Sequence, residues 1–285
     1  MDDREYVLTL SCPDTRGIVA AVATVLSRHG CNITESQQYG DHYTGRFFLR
    51  TQFLAEDPAV GEDALRGAFA SLAGDLDMEW ELWRCAVRPR VLVMVSKHGH
   101  CLNDLLYRQR SGLLGVDIAA VVSNHPDLEF LARSYDLDFH HLPVTPETKP
   151  RQEAALLELI DAYSVDLVVL ARYMQVLSAD LCAKLSGRVI NIHHSFLPSF
   201  KGARPYHQAH ARGVKLIGAT AHYVTAELDE GPIIEQEVAR VEHTHSPEQL
   251  AGVGRDLECL ALARAVNWHA ERRVVLNGQK TVVFR

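Results

Sequence analysis

From residue 90 onward the sequence alternates short apolar runs with longer amphipathic segments, and no other feature limits the fold as strongly. The runs are RVLVMVS (90–96), DIAAVVS (117–123), FHHLPV (139–144), VDLVVLA (165–171) and RVINIHH (188–194). Helical segments are expected between them, near 101–111, 127–135, 150–163 and 178–186. Buried strands separated by helices build a parallel sheet covered on both faces. In such sheets ligands sit beyond the carboxyl ends of the strands. GATAHYV (218–224) and PIIEQEVARV (232–241) read as two more strands. Ser246-Pro247-Glu248-Gln249 opens a helix running to about Arg272, with Ser as cap, Pro at the first helical position and Gln at the third. Asn277-Gly278 between apolar runs signals a hairpin.

The first 86 residues follow a different rhythm, β-α-β-β-α-β. The expected elements are YVLTLSC (6–12), IVAAVATVLSRHG (18–30), NITESQQY (32–39), RFFLRTQF (46–53), EDALRGAFASLAGDL (62–76) and MEWELWR (78–84). Ile18, Val22, Val25 and Leu26 share one helical face. Elements in this order suggest a ferredoxin-like sheet. Arg88-Pro89-Arg90 marks a linker, so the expected domains are 1–86, an α+β unit, and 87–285, a Rossmann-like α/β unit with a mostly parallel sheet.

Composition narrows the function classes. The formal net charge of −7 argues against nucleic acid as a partner, because phosphate recognition needs clustered Lys and Arg. No apolar run approaches the ~18 residues of a membrane span. The N-terminus, Met1-Asp2-Asp3-Arg4-Glu5, is acidic and unlike a signal peptide. Cys12, Cys31, Cys85, Cys101, Cys182 and Cys259 are scattered without a C-x-x-C pair, which reads as reduced thiols in a cytoplasmic protein. Cys101 reads as a packed small residue. His207/His210 and His243/His245 lack a carboxylate at ligand spacing, so no metal site is expected.

Chemistry concentrates in NIHHSFLPSFKGARPYHQA (191–209) and HYVTAELDEGPIIEQ (222–236). Asn191, His193 and Ser195 alternate at the end of a buried-type strand, where polar groups are costly in a core but useful at a pocket mouth. An amide, an imidazole and a carboxylate suffice for attack on a formyl carbonyl. Asn191 can donate to the oxyanion, His193 can donate with a charge, and Asp229 can hold the imidazolium and position or deprotonate the nucleophile. This chemistry calls for no metal and no bound cofactor.

These segments resemble the folate-dependent formyltransferase family. They carry Asn191-Ile192-His193, Ser195-Phe196-Leu197-Pro198, Gly202, Pro205 and Asp229-Glu230-Gly231, and ARYMQVLS (171–178) is similar to that family's folate-binding loop. The resemblance spans about residues 90–270. It implies a folate substrate received by the backbone around Met174, Gln175, Val176 and Leu177. His194, Ser195 and His222 are further substrate-side candidates. Within the family, three features resemble the branch that hydrolyses 10-formyltetrahydrofolate to formate and tetrahydrofolate, supplying formate for purine biosynthesis and balancing one-carbon pools. SKHGHCLNDLL (96–106) carries Lys97, His98 and His100 where phosphate-binding relatives have a glycine-rich loop. His194 stands where those relatives usually have Pro. The N-terminal domain resembles an ACT domain through Asp14-Thr15-Arg16-Gly17 and Gly30-Cys31-Asn32-Ile33. That resemblance implies a homo-oligomer (a dimer or tetramer) and an amino-acid effector such as glycine or methionine, held by Asp14, Arg16, Gly17 and Asn32. The alternative is a formyltransferase that passes the group to an amine such as glycinamide ribonucleotide.

Overall fold

The computed structural model describes residues 3–198 and 205–285. It divides into two compact units. The first comprises the residues up to Arg88 together with Glu271–Asn277 and Thr281–Arg285; the second comprises Pro89–Ala270 and Gly278–Lys280. The linear division at 86/87 gives the whole tail to the second domain, whereas most of the tail clusters with the first unit.

The first unit is the ferredoxin-like sheet expected of an ACT domain. Its strands are β1 (Glu5–Pro13), β2 (Cys31–Asp41), β3 (Arg46–Ala55) and β4 (Glu79–Arg84), in the antiparallel order β2-β3-β1-β4. Helix α1 (Ile18–Arg28) buries Ile18, Val22 and Leu26, and α2 (Glu62–Leu76) buries Leu65, Phe69 and Ala73. Both sets repeat every fourth residue, so each helix turns one apolar stripe inward. The stripes join Leu8, Leu10, Phe53 and Leu82 in one core. Gly17 precedes α1 at φ +94°, a left-handed conformation that costs glycine little.

The tail completes this unit through polar contacts. Arg50 is 2% exposed and donates from Nε and Nη2 to the Glu271 carbonyl at 3.2 and 3.1 Å. Its Nη1 lies 3.2 Å from Glu35 Oε2, and Arg273 Nη1 donates to Glu35 Oε1 at 3.0 Å. Asn277 Nδ2 donates to Asp41 Oδ2 at 2.8 Å. Asn277 ends β12 (Val274–Asn277), which pairs with β13 (Lys280–Val283) in the expected hairpin.

In the second unit β5 (Arg90–Val95), β6 (Asp117–Ser123), β7 (Asp138–His141), β8 (Leu167–Leu170) and β9 (Val189–His193) run parallel. Two strands, β10 (Leu216–Tyr223) and β11 (Ile233–Arg240), add to the β9 side antiparallel, giving the order β11-β10-β9-β8-β5-β6-β7. The chain leaves β5 toward β6 and β7, then returns to its other side for β8 and β9. A switch of direction between β5 and β8 opens a crevice at their carboxyl ends, where α/β sheets bind ligands. Connecting and covering helices are α3 (His100–Arg110), α4 (Glu129–Arg133), α5 (Lys149–Ala162), α6 (Ala179–Lys184), α7 (Pro205–Ala211) and α8 (Pro247–Ala270). The short α7 had no counterpart in the periodicity reading. No helix among the described residues is long and apolar enough to cross a membrane.

A guanidinium buried as fully as that of Arg50 needs its acceptors, because a buried donor left without one costs about 1–3 kcal/mol, and more for a charged group. Deleting residues 271–285 leaves two Arg50 donors without the Glu271 carbonyl and is therefore expected to destabilise the first unit by about 1–3 kcal/mol. A urea unfolding midpoint equal to that of the full chain would show that Glu35 alone satisfies Arg50.

Candidate active site

The antiparallel pairing of β9 with β10 places Asn191 opposite His222 and His193 opposite Thr220. Asn191 Nδ2 lies 3.2 Å from His222 Nε2, and His222 Nδ1 lies 2.8 Å from the Tyr223 carbonyl. A carbonyl only accepts, so Nδ1 carries the proton and Nε2 accepts from the Asn191 amide. Burial lowers the His222 pKa, which keeps this ring neutral. One hydrogen of the Asn191 amide is thereby used, and the other is left for a ligand.

His193 is buried at the end of β9, with Nδ1 3.3 Å from Asp229 Oδ1. Its Nε2 is buried without a hydrogen-bond partner. Asp229 adopts φ +57° in the loop after β10. Two residues on, a Cβ at Gly231 would lie 1.7 Å from the Tyr223 carbonyl oxygen, so the Asp-x-Gly turn closes only with glycine. Burial alone would raise the Asp229 pKa, but the hydrogen bond and charge of His193 lower it below its ordinary value. Asp229 is thus ionised at neutral pH.

Asn191, His193 and Asp229 line one cavity of about 240 Å³. Of the substrate-side candidates, Met174, Gln175, Val176, Leu177, His194 and His222 also line it. Ser195 does not: it is buried, and its carbonyl accepts from Thr220 Oγ1 at 2.9 Å. Gly202 lies outside the described residues. Loop 173–178 is anchored from three sides. Met174 N donates to Ser96 Oγ at 3.0 Å, Lys149 Nζ to the Val176 carbonyl at 2.6 Å, and Ser178 N to Glu153 Oε1 at 2.8 Å.

A second cluster centres on Glu258, which is 1% exposed. Its Oε2 lies 2.7 Å from His100 Nε2 and 3.4 Å from Arg172 Nε, and its Oε1 accepts from Tyr206 Oη at 2.8 Å. Glycine is required at 254 on α8, because a Cβ there would meet Tyr206 Oη at 1.9 Å. Periodicity reasoning missed Glu258, Tyr206 and Arg172. A signal existed: Leu250, Gly254, Glu258 and Leu262 share the buried stripe of α8, and a carboxylate there demands partners. His100, Cys101 and Glu258 have ligand atoms within 4.8 Å of one another. This donor set suits a polar network better than a metal. Glu258 already accepts from His100 and Tyr206 and pairs with Arg172, and a hydrogen bond to Cys259, with burial, raises the Cys101 thiol well above its ordinary value.

The four expected effector residues separate into two groups. Asp14, Arg16 and Gly17 are exposed beside Pro13, at the level of Arg46 in β3. Asn32 pairs at the level of Leu54, which also faces Glu5. The loop and Asn32 thus lie at opposite ends of the sheet. This corrects the expectation that Asn32 stands near the loop: β2 starts where α1 ends, far from where α1 begins.

Residues 89–266 match the formyl transferase model and residues 6–66 the ACT domain model. A formyltetrahydrofolate deformylase of Corynebacterium sp. (strain P-1) is 56% identical, covering 98% of each chain. That of Bacillus subtilis (strain 168) is 48% identical, over 97% of this chain and 93% of the relative. The crystal structure of formyltetrahydrofolate deformylase from Burkholderia mallei superposes with a TM-score of 0.95 at 56% identity, covering 99% of this chain and 100% of that one. Glycinamide ribonucleotide transformylase 1 from Symbiobacterium toebii matches with a TM-score of 0.65 at 35% identity, covering 70% of this chain and 95% of that one.

Burial, with the charges of Arg172 and His193, lowers the His194 pKa to about 4. Between its unfolded value near 6.5 and about 4, the unfolded chain holds a proton that the folded chain does not. Stability should therefore fall as pH drops through this window, by up to about 3 kcal/mol. His194→Gln is expected to flatten that slope. Equal wild-type and variant slopes in thermal melts from pH 7 to pH 4 would show that His194 is not held neutral.

Proposed function

The chain belongs to the formyl transferase family, in its formyltetrahydrofolate deformylase branch, and we propose that it hydrolyses 10-formyltetrahydrofolate to formate and tetrahydrofolate through Asn191, His193 and Asp229. The observation that carries the assignment of these residues is their meeting in one cavity with His193 Nε2 buried and unpartnered.

Water adds to the formyl carbon, and the carbonyl oxygen becomes an oxyanion. The free hydrogen of the Asn191 amide and a protonated His193 Nε2 supply two donors for it. Asp229 holds His193 through Nδ1 and draws the proton from the attacking water. The carbon–nitrogen bond then breaks, the folate nitrogen leaves with that proton, and the formic acid ionises. His222 acts through Asn191: its Nε2 fixes the amide rotamer and its neutral state keeps that acceptor available. The folate ring is received by the backbone of loop 173–178. No step calls on a Lewis acid.

The transferase reading would need an amine acceptor in place of water. Lys97 and His98 in the loop after β5, with His100 at the start of α3, favour water, since a glycine-rich loop would offer backbone amides to an acceptor's phosphate. The formate released would feed purine synthesis and return tetrahydrofolate to the one-carbon pool. The ACT unit is proposed to bind an amino acid, glycine or methionine, and to self-associate. Its loop at Asp14–Gly17 and its Asn32 lie at opposite sheet ends, so a ligand touching both needs a second copy.

The purified chain is expected to release formate from 10-formyltetrahydrofolate in buffer without any amine, at a rate unchanged by excess chelator. Formate appearing only when an amine is added would establish the transferase instead. Asn191→Ala should lower turnover by about 10²–10³, the cost of one oxyanion donor. His193→Ala and Asp229→Asn should lower turnover far more than folate affinity, read by steady-state kinetics beside equilibrium binding. Light scattering should give an oligomer mass, and calorimetry with glycine and methionine should show saturable binding; a monomer that binds neither contradicts the role given to the ACT unit.

A further inference from the structure

Arg172 is unaccounted for by the chemistry above. It follows β8 directly and holds φ +66°, a conformation that disfavours long side chains and persists where the surroundings impose it. Its side chain is 10% exposed. Glu258 lies 3.4 Å from its Nε, but neither Nε nor Nη1 has a hydrogen-bond partner among the described residues. Glu258 cannot saturate it, because the same carboxylate serves His100 and Tyr206. A guanidinium keeps its charge under all ordinary conditions, and buried donors without acceptors are costly. Arg172 lines the same cavity as Asn191, His193 and Asp229, and its charge reaches His194.

The reaction makes an anion in that cavity. Before cleavage the formyl group is neutral; afterwards formate carries a charge beside the ionised Asp229, at the end of the cavity where His193 is buried and Arg172 only 10% exposed. Like charges at short range repel strongly where solvent is excluded. The product therefore needs a cation, and a guanidinium suits a carboxylate in both charge and hydrogen-bond geometry.

We propose that Arg172, whose charge Glu258 meets only in part, forms a carboxylate subsite that holds the formate product beside His193. The proposal rests on the deformylase reading. Other carboxylates, such as the glutamyl tail of the folate, share this chemistry. Formate fits the position better, because Arg172 is buried while Met174, Val176 and Leu228, at 54%, 54% and 63% exposure, mark the open side where a long tail would emerge.

The test is a titration of ¹³C-formate followed by NMR line broadening, on the full-length wild type and on Arg172→Gln, Arg172→Lys and Glu258→Gln. Formate release from 10-formyltetrahydrofolate is assayed alongside on the wild type, so a failure of the deformylase reading is seen separately. We expect saturable binding to the wild type, about tenfold or more weaker binding to Arg172→Gln, as for loss of one charge-assisted hydrogen bond, and retained binding in Arg172→Lys. Glu258→Gln removes the competing carboxylate and should tighten formate binding, an outcome that a merely structural Arg172–Glu258 pair does not give. It also decides the matter if Arg172→Gln fails to fold. Formate product inhibition should follow the same order. No saturable binding to the wild type, equal affinity in Arg172→Gln, or weaker binding in Glu258→Gln overturns the proposal. So does an Arg172→Gln variant that loses affinity for tetrahydrofolate while keeping that for formate, because the guanidinium would then read the glutamyl carboxylate.

Discussion

The register between β9 and β10 is the constraint on which the site depends. It sets Asn191 against His222 and leaves His193 at the strand end, where Asp229 closes over it from the loop after β10. A one-residue slip would turn Asn191 and His193 to the other face of the sheet. Several features hold the register. The β10–β11 pairing shifts between Ala221 and His222, the Asp-x-Gly turn admits no Cβ at Gly231, and Thr220 Oγ1 donates to the Ser195 carbonyl and accepts from Leu197 N at 3.1 Å. The catalytic arrangement is thus built on strands and a sterically closed turn, which fix geometry better than mobile loops.

Around this frame the polar groups divide into two charge systems. In one, Asp229 faces His193, with His222 kept neutral by burial, accepting from Asn191 at Nε2 and donating to the Tyr223 carbonyl from Nδ1. In the other, Glu258 gathers His100, Tyr206 and Arg172. Glu258 is a buried carboxylate whose cost is offset by its donors, and the partly buried Asp229 is met by His193. His194 lies between them, its ring centroid 5.1 Å from that of His193 and 6.4 Å from that of Tyr206 in tilted arrangements, and is held neutral by burial and by the charges of Arg172 and His193. In the proposed reaction the first system performs the addition to the carbonyl, and the proposed role of the second, through Arg172, is to hold the anion that results.

Local patterns carried much of this architecture. The helix expected over 62–76 spans those residues, and the strand expected over 117–123 does likewise. Their signals are local: an apolar stripe with spacing four, and a continuous run of apolar residues. Asn191 and His193 stood out because polar groups at the end of an apolar strand need a reason to be there, and Asp229 stood out through the Asp-x-Gly pattern of its loop. What stayed hidden was non-local. Nothing in GATAHYV or PIIEQEVARV says that these strands join antiparallel to a parallel sheet. Arg50 does not announce that its acceptor lies at Glu271, and Glu258 looks like an exposed helix position until its stripe is seen to be buried. The short α7 is only seven residues long, too brief for periodicity to register.

The central claim is that Asn191, His193 and Asp229 act as one device rather than as three independent contributors. Residues that work as a unit lose function non-additively. The most direct test is a double-mutant cycle on turnover of 10-formyltetrahydrofolate with His193→Ala, Asp229→Asn and the combined variant, folate affinity being measured on each. The account predicts that the double variant is scarcely slower than the worse single variant while folate affinity stays near wild type. Losses that multiply across the two sites would contradict it.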